Sequence, residues 1–183
     1  MPFFHAFTGC DTVSNFWRIG KKTAAETDIW ETFKFLSNIP KDVPISCFQL
    51  IQRFVVQMYD NNSDRYSVNA ARRKLVGEGR TVDRIPPTEN ALKEHIKRAV
   101  YQAGYVWAQS LETHMSLPEA TLWGWKHDND GELTPVWTEL PEVAKACREL
   151  IRCGCLKGCK AQCKCKSNNI PCCELCKCEG QCT

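Results

Sequence analysis

The sequence has no apolar run of membrane-spanning length, no low-complexity segment and, outside one cysteine pattern, no internal repeat. Its first ten residues, MPFFHAFTGC, lack the basic start, long apolar stretch and small-residue cleavage site of a secretory leader. An intracellular chain with reduced cysteines is therefore expected, without a membrane partner. A strong charge imbalance is also missing. The net charge of +3 is too small to argue for nucleic acid by itself, so any basic patch must be local.

Cysteine is abundant. Ten of the thirteen cysteines lie between Cys153 and Cys182. That density has three readings: a disulfide framework, a zinc cluster or a metal buffer. With no sign of an oxidising compartment, disulfides are the weakest. Leaving Cys173 aside, the other nine are Cys153, Cys155, Cys159, Cys163, Cys165, Cys172, Cys176, Cys178 and Cys182. They contain three C-x-C pairs, and such pairs suit clusters in which sulfurs bridge metals. A tetrahedral zinc takes four ligands, so three zincs need twelve coordination positions. Nine thiolates fill them if six bind one metal each and three bridge two.

This stretch resembles the tesmin-type CXC domain and, more distantly, the cysteine-rich pre-SET segments of histone methyltransferases. The resemblance implies three zinc ions on the nine cysteines. Two spacings differ from the family pattern. The gap from Cys155 to Cys159 is usually one residue longer, and that from Cys178 to Cys182 one shorter. Gln162 stands where DNA-reading members often carry Tyr, and one copy is present where they often have two.

Six basic side chains, Arg152, Lys157, Lys160, Lys164, Lys166 and Lys177, face Glu174 and Glu179 in the tail. Nine thiolates and three zinc ions would lower that surplus from +4 to about +1. Lys157, Lys160, Lys164 and Lys166 alternate with ligands, so their ammonium groups are expected to project outward as phosphate contacts. DNA or chromatin is the expected partner and the nucleus the expected location.

At the other end, Phe16, Trp17 and Ile19 read as a short apolar helix end, with Gly20 as a turn. A second helix is expected from Lys22 to about Asn38, with Ala25, Ile29, Phe33 and Leu36 on one face. Gly9, Cys10 and Asp11, followed by Ile19, Gly20, Lys22 and Ala24, resemble one corner of the flap-endonuclease, PIN-like fold. There a Gly-Ser-Asp segment ends a strand and a helical hairpin follows; Arg18 replaces the first hairpin glycine. The resemblance implies that Asp11 is one metal-binding carboxylate. One Asp cannot assemble a two-metal site, so the chain alone is not expected to cut nucleic acid. The plainer reading makes Asp11 a helix N-cap.

The middle reads as helical. Phe48, Ile51, Phe54, Val55 and Met58 mark one amphipathic helix, and Val68 to Val76 a second. Arg72, Arg73 and Lys74 near the end of the second are read as a solvated face. Thr88 caps the longest helix, to about Leu111, whose apolar stripe is Leu92, Ile96, Ala99, Val100, Ala103, Val106, Trp107 and Leu111. Glu94 and Arg98 are expected to pair on its other face, and His95 to lie at the surface. Trp123 to Trp137 reads as strand, turn and strand around Asn129-Asp130-Gly131, with its tryptophans packed on the long helix. A final helix from Leu140 through Cys147 to Leu150 leads into Cys153 without a flexible linker, so the module is expected to dock on the helical part.

The expected fold is thus mainly α with a small β-hairpin, followed by a small irregular zinc-cluster module. Three segments follow: 1–38, a helical-hairpin segment; 39–150, a helical region with a Trp-rich hairpin; and 151–183, the cluster module. The whole pattern is similar to a group of animal proteins associated with mobile elements. Three functions are weighed: a zinc-structured module for DNA or chromatin, a fragment or inactive descendant of a flap-type nuclease, and a metallothionein-like metal buffer. The helical body with its six tryptophans, and Leu156, Ile170 and Leu175 between the ligands, speak against a buffer.

Overall fold

The computed structural model describes the chain except residues 1, 17–18, 20–28, 139–146, 149, 157, 161, 173–175 and 181–183. It is mainly helical, with one two-stranded antiparallel hairpin and a cysteine-rich C-terminal region. In order come α1 (Pro2–Phe7), α2 (Trp30–Leu36), α3 (Ile45–Tyr59), α4 (Val68–Gly77), α5 (Glu89–Val100), β1 (Trp125–His127), β2 (Leu133–Pro135) and α6 (Lys164–Ser167). No helix among the described residues is long and apolar enough to cross a membrane.

The core is organised around α1. Phe3, Ala6 and Phe7 are fully buried. The Phe7 ring lies 5.1 Å from Phe16, 6.1 Å from Phe33, 6.3 Å from Phe54 and 5.2 Å from His95, centroid to centroid. Aromatic rings at these separations attract beyond their buried area. Six residues are too few to hold a helix alone, so this burial stabilises α1. The chain before Gly9-Cys10-Asp11 is therefore helical, where the nuclease resemblance implied the end of a strand. Asp11 is exposed in a bend, and residues 12–16 after it are not helical, so it is not an N-cap.

Phe16 and Ile19 are also non-helical, joined by a turn from the Ile19 amide to the Phe16 carbonyl at 3.3 Å. Trp17, the Gly20 turn and the stretch from Lys22 to residue 28 lie outside the described residues. The part of that expected helix that is described is α2, with Phe33 and Leu36 fully buried and Ile29 buried just before it.

The periodicity of α3 holds, with Phe48, Ile51, Phe54, Val55 and Met58 all buried. In α4, Arg73 is exposed, whereas Lys74 pairs with Asp60 at 3.0 Å and Arg72 donates to the Pro86 carbonyl. The basic cluster is thus partly tied into the fold. Thr88 caps α5, its hydroxyl oxygen accepting from the Ala91 amide at 3.3 Å.

Beyond Val100 the long helix departs from the expected stripe. Tyr101–Trp107 forms a π-helix, whose i to i+5 bonds place one more residue in each turn. The buried face shifts accordingly: Gly104 and Tyr105 are buried, Val106 and Trp107 are only half-buried, and Leu111 is 98% exposed.

Arg98 and His95 also correct the sequence reading. Glu94 pairs with Lys97 at 2.8 Å. Arg98 instead turns inward, donating from Nη1 to the carbonyls of Gly124 at 3.1 Å and Val136 at 3.3 Å. His95 is buried, with Nε2 2.8 Å from the Phe7 carbonyl oxygen and Nδ1 3.3 Å from Ser14 Oγ. A buried imidazole finds partners in this way, so the ring faces the core rather than solvent.

The hairpin pairs Trp125 with Pro135, Lys126 with Thr134 and His127 with Leu133. Trp123 belongs to a 3₁₀ turn, Ala120–Trp123, rather than to a strand. Its ring is buried and lies 5.1 Å from Tyr105, so it packs on the long helix as expected, whereas Trp137 is mostly exposed. Of the expected last helix, Cys147 and Arg148 are helical and Leu150 is in a turn; residues 139–146 and 149 lie outside the description.

Candidate metal centre

The tail folds around sulfur rather than around an apolar core. Cys153, Cys159, Cys163, Cys165, Cys176 and Cys178 are all at most 5% exposed. Short local turns bring them together. Gly158 takes a φ of +60°, which lets the chain reverse between Cys155 and Cys159. The Lys177 amide donates to the Cys153 carbonyl at 3.2 Å and joins the first and last described C-x-C pairs. Between them, α6 begins after Cys163, and the Ile170 amide returns to the Cys165 carbonyl at 3.0 Å. Arg152, next to the first ligand, donates to the Gly77 carbonyl at the end of α4. That contact ties the module to the helical body.

The sulfur geometry fits a metal. A zinc–sulfur distance of about 2.3 Å gives a tetrahedron with edges of about 3.8 Å. Cys153 Sγ lies 3.7 Å from Cys159, 3.8 Å from Cys172 and 3.7 Å from Cys178. Cys159 Sγ lies 3.6 Å from Cys172 and 4.0 Å from Cys178. Five of the six edges of this four-sulfur group are thus near the tetrahedral value. Two further groups of similar compactness overlap it: Cys153, Cys163, Cys165 and Cys172, and Cys153, Cys155, Cys159 and Cys163. Cys153 belongs to all three. Cys176 joins through Cys165, at 3.6 Å. The cluster can therefore hold metal, and the three groups overlap at Cys153.

Electrostatics point the same way. The Lys166 amide, bonding to the Cys163 sulfur, lowers that thiol to about 6 against the opposing effect of burial. Burial raises Cys165 to about 12, with neighbouring Cys176 adding to the effect. So many thiols in one place cannot all ionise unless a cation offsets their charge, and a bound metal does this directly.

Eight of the nine expected ligands are thus gathered at one centre; Cys182 and the additional Cys173 lie outside the described residues. Lys160, Lys164 and Lys166 are exposed, alternating with buried Cys163 and Cys165. Lys157 lies outside the description. Asp11 belongs to a different part of the fold, in the loop after α1. The anchoring role of Arg152 was missed from sequence, because a basic residue beside a cysteine has no spacing signature. Comparison with family models, with curated proteins and with solved structures gave no match to this chain.

Proposed function

We propose that the C-terminal module is a three-zinc, nine-thiolate cluster of the CXC type, and that it presents a lysine edge to duplex DNA. The observation that carries the reading is the four-sulfur group of Cys153, Cys159, Cys172 and Cys178, whose spacing suits tetrahedral zinc. The exposed Lys160, Lys164 and Lys166 on a rigid, cross-linked scaffold support the DNA part, because a rigid support lowers the ordering cost of each contact. With Lys157 they offer four phosphate contacts. Gln162 in place of the groove-reading Tyr of related domains favours phosphate over base recognition. A buffer role is disfavoured by the buried aromatic core beside the cluster.

Native mass spectrometry of the full chain is expected to give three zinc ions. Titration of the zinc-loaded chain against duplex DNA is expected to give a log–log salt slope of about −3.6, or roughly −0.9 per phosphate contact. Affinity unchanged when all four lysines become Gln would sink the DNA reading and leave the cluster as a protein-contact module. A single zinc per chain would sink the cluster itself.

A further inference from the structure

The 14–16 loop, α5 and the chain leaving β2 line a half-open pocket of about 290 Å³. That is near the lower end for ligand pockets, about 300 Å³, and suits a small molecule. Phe16, Ile85, Pro87 and Trp137 give it an apolar wall. Its charged lining is Arg72 and Arg98 against one carboxylate, Asp83. His95 also lines it, with both ring nitrogens already engaged by Phe7 and Ser14.

Arg98 is the unusual member. It is only 6% exposed, yet its acceptors are two neutral carbonyls, both bonded through Nη1. No ion pair to it is formed among the described residues; Glu94, one turn earlier, is bonded to Lys97 and acts on Arg98 only through its nearby charge, which opposes the lowering effect of burial. A guanidinium carries five N–H donors, and the three on Nε and Nη2 have no acceptor among the described residues. Buried charges are normally paired, and the guanidinium fork suits a carboxylate or phosphate with two parallel bonds.

We propose that this cavity binds a small planar organic anion, with its carboxylate or phosphate held by Arg98 and its ring against the apolar wall. Arg72 adds a second positive charge at the same wall. The site is separate from the sulfur cluster and does not depend on the DNA reading.

Isothermal titration of the zinc-loaded full chain with phenyl phosphate and with benzoate tests it, with phenol as the uncharged control. At least one anion is expected to bind with a Kd below about 1 mM, and phenol at least about tenfold more weakly. Arg98→Lys keeps the charge but loses the fork, and is expected to weaken binding by about tenfold. Ala91→Phe, which fills the cavity and leaves both guanidiniums in place, is expected to abolish binding. If Arg98→Lys does not fold, Ala91→Phe decides alone. No binding of either anion at about 10 mM, phenol binding as well as the anions, or binding unchanged by Ala91→Phe, would each overturn the proposal.

Discussion

The Gly104 carbonyl accepts the Ile39 amide at 3.2 Å, joining the π-helical turn to the corner after α2. A methyl group on Gly104 would lie 2.9 Å from the Leu36 carbonyl oxygen and 3.2 Å from Pro40 Cδ. Both neighbours belong to a corner pinned again by the Tyr105 hydroxyl on the Pro40 carbonyl. Gly104→Ala is therefore expected to destabilise the body by about 1–3 kcal/mol, despite alanine's better helix propensity. Urea unfolding followed by circular dichroism measures this, and a neutral or stabilising effect would show that the corner yields.

His95 makes stability depend on pH. Burial lowers its pKa to about 4, against the raising effect of the Phe7 carbonyl, with Arg98 lowering it further. Between that value and the ordinary 6.5 the unfolded chain binds the proton and the folded chain does not. Stability is thus full above about pH 6.5 and falls as the pH drops towards 4, by roughly 3 kcal/mol in all. Denaturant titrations at pH 7.5 and 5, repeated on His95→Gln, separate this from zinc loss. The pH dependence should shrink in the variant, and an undiminished slope would assign it to other groups.

Removing zinc should divide the molecule energetically. Structural zinc contributes about 10–16 kcal/mol per site in small modules, so chelation should unfold the tail. The body buries Phe3, Phe7, Phe33 and Ile51 completely without using a cysteine ligand, so it should stay folded. NMR spectra before and after excess chelator would show cross-peaks lost from residues 151–183 and kept in α3 and α5. Collapse of the whole spectrum would contradict this.

Cysteines should differ in how much metal they hold. Cys153 lies in all three four-sulfur groups, whereas Cys155 lies in one. Cys153→Ser is expected to cost more bound zinc per chain than Cys155→Ser, as read by native mass spectrometry. Equal losses would argue that sulfur sharing is spread evenly.

Local signals in the chain were readable where they decide structure locally. The α3 stripe, the Thr88 cap and the Asn129-Asp130-Gly131 turn each act within a few residues, and each appears where its pattern placed it. Cysteine spacing likewise located the sulfur cluster, because ten cysteines in thirty residues are too close in sequence to be spread far apart. What the chain hid depends on distant partners. His95 is buried because Phe7 and Ser14, more than 80 positions earlier, supply acceptors and donors for its ring. Arg98 leaves its expected pairing because the hairpin carbonyls at Gly124 and Val136 reach it first. The helix α1 was missed because the helical spacing of Phe3, Ala6 and Phe7 spans little more than one turn, and its burial comes from rings on α2, α3 and the 14–16 loop.

The π-helical turn gives the longest helix spare length. Deleting one residue between Tyr101 and Trp107 would let ordinary α bonding run through the segment. Everything beyond would nonetheless keep roughly its present direction, because the wider turn takes up the extra residue within one full revolution. Val106 and Trp107 would stay near the side they now occupy, and the tryptophan hairpin would keep its aim. The segment thus works as a slack turn: it absorbs one residue of chain without turning the elements on either side of it.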